Sequence, residues 1–329
     1  MKAIVVTASG VHIQAVATPT PKPNEVLVRV RACGLNRADL MVASGMAHGR
    51  AGGAGTIVGL EFVGEVAGLG AEAETKSGLQ IGDRVMCGGA QGWAEYAVAD
   101  WGRTAKIPDG KVSWNEAATL PIALNTMHNA VVTAGRMQAG ESVLIQGASS
   151  GVGLMAQQIA KHKGAGLVIG TSTNAERRAK LKDFGADLAL DSSDPTWADQ
   201  VLEATKGEGI DLIIDNVSGY TINESLRCTK VLGRIVNVGR LGGFQGEFNF
   251  DLHAARRIDY IGVTFRTRSI AEVREIAQLM QADLGDEVAA GKLRVPIDSV
   301  HPFEQVKEAL SRMKANQHFG KIVLEGPAD

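Results

Sequence analysis

Ser142-Val-Leu-Ile-Gln146, Gly147-Ala-Ser-Ser-Gly-Val-Gly153 and Leu154-Met-Ala-Gln-Gln-Ile-Ala-Lys161 follow one another without a break. The first is a short apolar run, the second a turn of tiny residues, and the third places apolar residues at helical spacing. Together they predict a strand, a tight turn and a helix. Gly151 and Gly153 let the backbone approach a ligand and let the helix pack close on its sheet. The first N–H groups of a helix have no partner within it and carry partial positive charge, which suits a pyrophosphate. A strand, turn and helix of this kind hold a dinucleotide. Of the three glycines in the pattern G-x-G-x-x-G only the last is kept, in Ala148-Ser-Ser-Gly-Val-Gly153, so the surroundings of the turn carry much of the weight.

The next apolar run, Leu167-Val-Ile-Gly170, ends in Thr171-Ser172-Thr173-Asn174, about where an acid would grip the ribose of NAD. No Asp or Glu stands there. Small hydroxyls and Arg177-Arg178 stand there instead, and a guanidinium supplies donors and charge to a 2′-phosphate. The expected cofactor is NADPH.

With 329 residues and 45% hydrophobic content, the chain is globular and long enough for two moderate cores. A net charge of -2 and a pI near 6.4, with no basic run interleaved with aromatics, argue against nucleic acid and anionic membrane as partners. Three scattered cysteines, Cys33, Cys87 and Cys228, form no closed disulfide framework and suit a reducing compartment. The apolar run before Thr7 is too short for a signal peptide and no stretch has the length of a membrane span, so a cytoplasmic protein is expected.

Residues 1 to about 121 read as β-rich: Lys2–Val6, His12–Ala17, Glu25–Cys33, Val58–Val66, Ile81–Cys87 and Gly92–Val98 alternate or run apolar as strands do. Asn36–Ser44 has helical spacing, and residues 45–55 hold five glycines, which predicts a mobile loop. A helix over Ile122–Ala134 opens an alternation of strands and helices. Its strands are Ser142–Gln146, Leu167–Gly170, Leu188–Leu190, Ile210–Asp215, Arg234–Gly239 and Tyr260–Thr264, the number that two mononucleotide halves of a doubly wound parallel sheet require. Asn216, Gly239 and Arg240, which follow the fourth and fifth of these, are expected to line the crevice at the carboxyl ends. A helix from Ile270 to about Val288, another over Pro302–Met313 and a strand over Lys321–Glu325 close the chain; from the residues alone, that strand could extend the second sheet or return to the first domain.

Gly34-Leu-Asn36-Arg-Ala-Asp39-Leu, Gly59-Leu-Glu61, Gly82-Asp-Arg-Val85, Ala118-Thr-Leu-Pro121, Gly147–Gly153, Gly185-Ala-Asp187 and Gly320-Lys-Ile-Val323 occur in an order and spacing that span nearly the whole chain. In these the chain resembles the zinc-independent quinone oxidoreductase group of the medium-chain dehydrogenase/reductase superfamily, which includes ζ-crystallin. The resemblance implies an α/β fold: a GroES-like β-barrel catalytic domain, 1–121 and 265–329, with an inserted Rossmann doubly wound parallel sheet, 122–264. It also implies a homodimer, with Tyr260–Thr264 as the edge available for pairing across a two-fold axis.

In the zinc alcohol dehydrogenases of that superfamily a cysteine, a histidine and a second thiolate hold the catalytic metal, and the matching positions here are Asn36, Leu60 and Ile122. Leucine and isoleucine offer no donor, so no metal is expected. By the same resemblance Asn36 touches the nicotinamide ribose or its neighbourhood, Thr126 reaches the nicotinamide–ribose side, Ser149, Ser150, Gly151, Val152 and Gly153 hold the pyrophosphate, Thr171, Ser172 and Arg177 meet the adenosine phosphate, and Lys321 returns near the cofactor. Glu61 is expected in a structural ion pair. The chain has only three tyrosines, Tyr96, Tyr220 and Tyr260, and carries Met41, Ala47 and Ser192 where members of the group often have tyrosine, which leaves fewer rings to stack on a flat quinone.

The resulting expectation is an NADPH-dependent, zinc-independent reductase that transfers a hydride to quinones or to alkenes conjugated with a carbonyl, its partner being the small-molecule acceptor. Such acceptors are already electron-poor and need positioning more than acid–base help. The alternative is a non-enzymatic NADPH-binding structural or regulatory protein of crystallin type.

Overall fold

The computed structural model describes residues 1–49, 51–108 and 112–327; Arg50, within the glycine-rich stretch 45–55, lies outside them. The chain divides into two compact units, Met1–Asn125 with Phe265–Asp329, and Thr126–Thr264. It runs through β1 (Lys2–Thr7), β2 (Gly10–Ala15), β3 (Glu25–Gly34), α1 (Arg37–Ala43), β4 (Glu61–Leu69), α2 (Ala71–Lys76), β5 (Arg84–Gly88), β6 (Tyr96–Asp100), β7 (Thr104–Lys106), α3 (Trp114–Ala117) and α4 (Pro121–His128). Then come β8 (Ser142–Gln146), α5 (Gly151–His162), β9 (Leu167–Thr171), α6 (Ala175–Ala179), β10 (Leu188–Leu190), α7 (Trp197–Ala204), β11 (Ile210–Asp215), α8 (Ile222–Cys228), β12 (Thr229–Asn237), α9 (Phe250–Arg256) and β13 (Asp259–Gly262). The chain ends through α10 (Ile270–Ala289), β14 (Ile297–His301), α11 (Val306–Lys314) and β15 (Lys321–Glu325).

In the first unit β1 and β2 form a hairpin, and a larger sheet runs β14-β15-β3-β4-β5-β7, with β6 also pairing β3. The closing strand β15 is antiparallel to β3, Val323 opposite Gly34, so it completes this sheet and not the other. β3 alternates as the sequence predicts, and Val26, Val28 and Val30 point into a core shared with Phe62, Trp93 and Phe303. β4 begins at Glu61, three residues later than expected. Gly59 has φ +110°, and a Cβ there would lie 2.6 Å from the Trp93 backbone nitrogen, so the chain turns at this point and cannot yet be strand.

The second unit is a six-stranded, all-parallel sheet in the order β10-β9-β8-β11-β12-β13, the doubly wound Rossmann arrangement. Val143, Leu144 and Ile145 are fully buried, which is why β8 reads as an unbroken apolar run: a parallel strand is covered on both faces. The fifth strand runs Thr229–Asn237 and stops short of Gly239, because the N–H groups of Val238 and Gly239 both turn to the Asp215 carbonyl. The expected helix over Ile122–Ala134 is α-helical only to His128; Asn129–Ala134 forms a π-helical turn, in which Gly135 N–H reaches back to the Ala130 carbonyl. Among the described residues no helix is long and apolar enough to cross a membrane.

Candidate functional site

At the carboxyl ends of β8 and β11, where the strand order changes direction, the second unit places the turn 147–150 beside the loop that follows Asp215. Ser150 caps α5: its Oγ accepts from Gly153 N–H at 3.1 Å and donates to the Gly147 carbonyl at 2.9 Å. A Cβ on Gly153 would stand 2.5 Å from the Gly147 oxygen and 2.7 Å from the Ala148 Cα, so the turn closes this tightly only around glycine. The cap takes the N–H of Gly153. Those of Gly151 and Val152, one and two residues into α5, have no helical carbonyl to reach. A tight turn, a capped twelve-residue helix and free first-turn N–H groups fit the pyrophosphate of a dinucleotide.

Thr171 and Ser172, expected at the adenosine phosphate, are both buried. Thr171 is the last residue of β9 and fully buried; its hydroxyl donates to Gln146 Oε1 at 2.7 Å and accepts from Gly147 N–H at 3.1 Å. It ties the turn to the end of β8. Ser172 is nearly buried and donates to Ser149 Oγ at 3.0 Å. Arg178 donates to the Ser172 carbonyl and to Asp191, at 2.7 and 2.9 Å, so its guanidinium ties the end of β9 to the residue after β10. Arg177 is partly exposed on α6, with its N–H capped by Asn174 Oδ1 at 2.9 Å.

Asn216, expected to line the crevice, is 2% exposed and donates from Nδ2 to the Gln146 carbonyl at 3.0 Å. Its side chain ties β11 to β8, while Oδ1 has no partner among the described residues. Gly239 lies against Asn216, where a Cβ would strike the Asn216 carbonyl oxygen. Arg240 folds back on the Val238 carbonyl and Asn237 Oδ1, at 3.2 and 3.1 Å. Thr126 is partly exposed on α4.

The sequence reading missed three residues of this neighbourhood. Asp215 Oδ1 accepts from Val217 and Ser218 N–H at 2.9 and 2.8 Å, and burial pushes its carboxyl up. Ser218 sits at φ +59°, ψ −155°, a region open essentially to glycine alone, and its Oγ bonds the Gly239 carbonyl and Asn237 Nδ2. Gln146, a polar residue ending an apolar strand, carried the one signal that could have been read.

In the first unit Asn36 and the Ile122 N–H, at two of the positions that the resemblance matches to metal ligands, bond to an ionic cluster. Lys321 Nζ, on β15, bonds Glu61 Oε1 at the start of β4, Asn36 Oδ1 at 2.6 Å and the Leu35 carbonyl at 3.2 Å. Glu61 Oε1 also accepts from Asn36 Nδ2 at 2.8 Å, and its Oε2 accepts from Ile122 N–H at 2.8 Å, placing the carboxylate at the first turn of α4. Glu61 is fully buried and Lys321 is 4% exposed. Glycine at 34 makes room for them, since a Cβ there would lie 2.5 Å from Glu61 Oε1. Asp39, wholly buried at the third position of α1, accepts from the Asn36 N–H at 2.7 Å, and burial pushes its carboxyl up to about 7.

This donor set does not fit zinc. Leu60 and Ile122 bring no ligand, Glu61 is saturated by a lysine, an amide and a backbone N–H, and among the described residues no group of three His, Cys, Asp or Glu is placed to hold a metal ion. Cys33 is buried, with its thiol directed at the Gly92 carbonyl and burial pushing it well up.

Residues 22–109 match the alcohol dehydrogenase GroES-like domain family and residues 151–282 the zinc-binding dehydrogenase family. The highly reducing polyketide synthase azaB of Aspergillus niger is 32% identical over 301 residues, covering 89% of this chain and 11% of that protein. A mycocerosic acid synthase-like polyketide synthase of Mycolicibacterium smegmatis is 30% identical over 313 residues, covering 94% and 14%. The chain thus spans about an eighth of the length of these curated relatives. Among solved structures, mycobacterial Rv1454c complexed with NADPH superposes with TM-score 0.87 at 27% identity, over 99% of both chains. A Pseudomonas syringae quinone oxidoreductase gives 0.86 at 28%, over 98% of this chain and 99% of that one. The CurK enoyl reductase gives 0.86 at 25%, over 99% of both.

Proposed function

This chain belongs to the medium-chain dehydrogenase/reductase superfamily and is an oxidoreductase, and on that premise we propose that it uses NADPH to reduce alkenes conjugated with a carbonyl. Bound reduced nicotinamide supplies the hydride. The observation that carries the reading is the Glu61–Lys321 pair completed by Asn36 and the Ile122 N–H, with no group of metal ligands among the described residues. Such a site has no Lewis acid to offer and suits an acceptor that is already electron-poor. Relatives named as reducing polyketide synthases and a neighbour named as an enoyl reductase support an enoyl acceptor. Quinones are the second reading, favoured by the neighbours that carry that name. The few tyrosines of this chain count against it.

The chain's own part is binding and orientation. The capped N-terminus of α5 receives the pyrophosphate, Ser150 holds the turn closed, and Asn36 stands half-buried with its amide direction set by its two charged neighbours. We assign the preference for NADPH to Arg177, a partly exposed guanidinium on the helix that follows β9. NADPH and NADH affinities, with oxidation rates on an enone, an enoyl thioester and a naphthoquinone, test the proposal. Arg177→Ala is expected to weaken NADPH about tenfold, roughly 1.4 kcal/mol, and to leave NADH unchanged. Equal losses for both nucleotides would remove the phosphate assignment, and no turnover on any acceptor would remove the function.

A further inference from the structure

In a doubly wound sheet each half takes one mononucleotide, so with the adenosine at β9 the nicotinamide falls to β11 and β12. Two loops of the second unit follow those strands, 216–220 and 239–246. Backbone bonds zip them together: Leu241 N–H donates to the Asn216 carbonyl at 3.3 Å and Gly242 N–H to the Val217 carbonyl at 2.7 Å. Glycine permits the approach, since a Cβ on Gly219 would lie 2.4 Å from the Gly242 oxygen. Ser218, in its glycine-like backbone conformation, is pinned between the Asp215 carboxylate, the Gly239 carbonyl and Asn237. The two loops therefore form one preformed body. What they turn outward is apolar: Leu241, Tyr220 and Phe244 are 48%, 64% and 75% exposed. The Tyr220 ring packs on Gly242, where a Cβ would lie 2.9 Å from Tyr220 Cε1, and Phe244 follows two residues later. Leu241 reaches the other way, its Cδ1 lying 3.7 Å from where a Cβ on Gly147 would stand, in the turn proposed for the pyrophosphate.

We infer that Tyr220, Leu241 and Phe244 form a platform for the hydrocarbon tail of the hydride acceptor, so that the chain prefers enoyl groups with long tails to the shortest ones. Three large apolar side chains left in water on one preformed body mark a surface that is covered in use. Area decides what covers it. Together they expose roughly 350 Å², well under the ~800 Å² that each partner gives to a stable protein interface. At about 30 Å² per CH2 the same area matches a tail of about ten carbons. Charge agrees, because Arg240 is the only charged residue of the two loops and its guanidinium folds back on the Val238 carbonyl and Asn237 Oδ1. Position decides whose tail it is, since the platform stands on the strands that take the nicotinamide and Leu241 borders the nucleotide turn. This inference rests on the proposed reduction of conjugated alkenes and names the class of acceptor within it.

The test measures kcat/KM at saturating NADPH for a series of trans-2-enoyl thioesters, from crotonyl to decenoyl, on one short carrier thiol. The unaltered chain is expected to gain about twofold for each added CH2, less than the roughly fourfold of full burial because a platform covers one side of the tail. Tyr220→Ser/Leu241→Ser and Phe244→Ser are each expected to lower the decenoyl-to-crotonyl ratio at least about threefold. Phe244 is so exposed that its replacement leaves the packing intact, and it decides alone if the double variant does not fold. Turnover that does not depend on tail length would overturn the inference. So would variants that keep the ratio of the unaltered chain, and a changed oligomeric state by light scattering alongside that kept ratio would assign the patch to a second copy instead. No turnover on any thioester refutes the underlying function, a result distinct from all of these.

Discussion

Asp39 shows how much a single residue can hide from its sequence. Asn36-Arg-Ala-Asp39 has the spacing in which the third helical residue reaches back to the cap, and Asp39 does accept from the Asn36 N–H. Nothing in the letters says that the carboxyl is wholly buried. Burial pushes it up to about 7, with the charge of Glu61 adding to the rise and Lys321 and backbone N–H groups opposing it. The folded chain therefore keeps a proton between about pH 4 and pH 7 that the unfolded chain has released, and stability falls as pH rises through that window. Asp39→Asn cannot ionise and should lose this slope. Denaturant unfolding from about pH 4 to pH 8 should show the variant gaining on the unaltered chain by an amount on the order of 4 kcal/mol. Parallel profiles would place the shift elsewhere. Thr171 hides its surroundings in the same way: β9 continues one residue further than predicted and carries the side chain inward. The glycine-like backbone of Ser218 left no trace in the sequence at all.

At the scale of elements, apolar periodicity placed the strands and helices well, and contacts between elements moved their ends. β8 and β15 have the residues expected of them because their signals are local, an unbroken apolar run and a short terminal strand, whereas α5 starts at Gly151, three residues earlier than its helical spacing predicts, because Ser150 caps it. Elsewhere an end depends on a distant residue, as β4 does on Trp93 against Gly59 and β12 on the Asp215 carbonyl. The turn into α5 yields the prediction for this scale. A methyl group on Gly153 would meet backbone atoms on two residues, none of which is the end of a flexible side chain, so the turn or the helix must move. Gly153→Ala should cost about 1–3 kcal/mol in thermal or chemical unfolding. It should also weaken NADPH at least about tenfold, since the N–H groups proposed to receive the pyrophosphate shift with the turn. Stability and affinity both unchanged would show that the close approach is not required.

For the whole molecule, counting six strand–helix alternations predicts a doubly wound sheet, but strand order belongs to tertiary packing and is not written in any one segment. The return of β15 to the first sheet stayed open for the same reason: its partner β3 lies nearly three hundred residues earlier in the chain. The same distance separates Lys321 from Asn36, and the ionic cluster they form with Glu61 became visible only when the sheet brought them together. The central claim is that electrons pass as hydride from the nucleotide directly onto a conjugated carbon. Its most direct test is reduction of an enone with NADPH carrying deuterium at the transferring position, followed by locating the label in the product. The account predicts deuterium on the β-carbon and solvent hydrogen on the α-carbon. Label released to water, or NADPH left unconsumed, would contradict it.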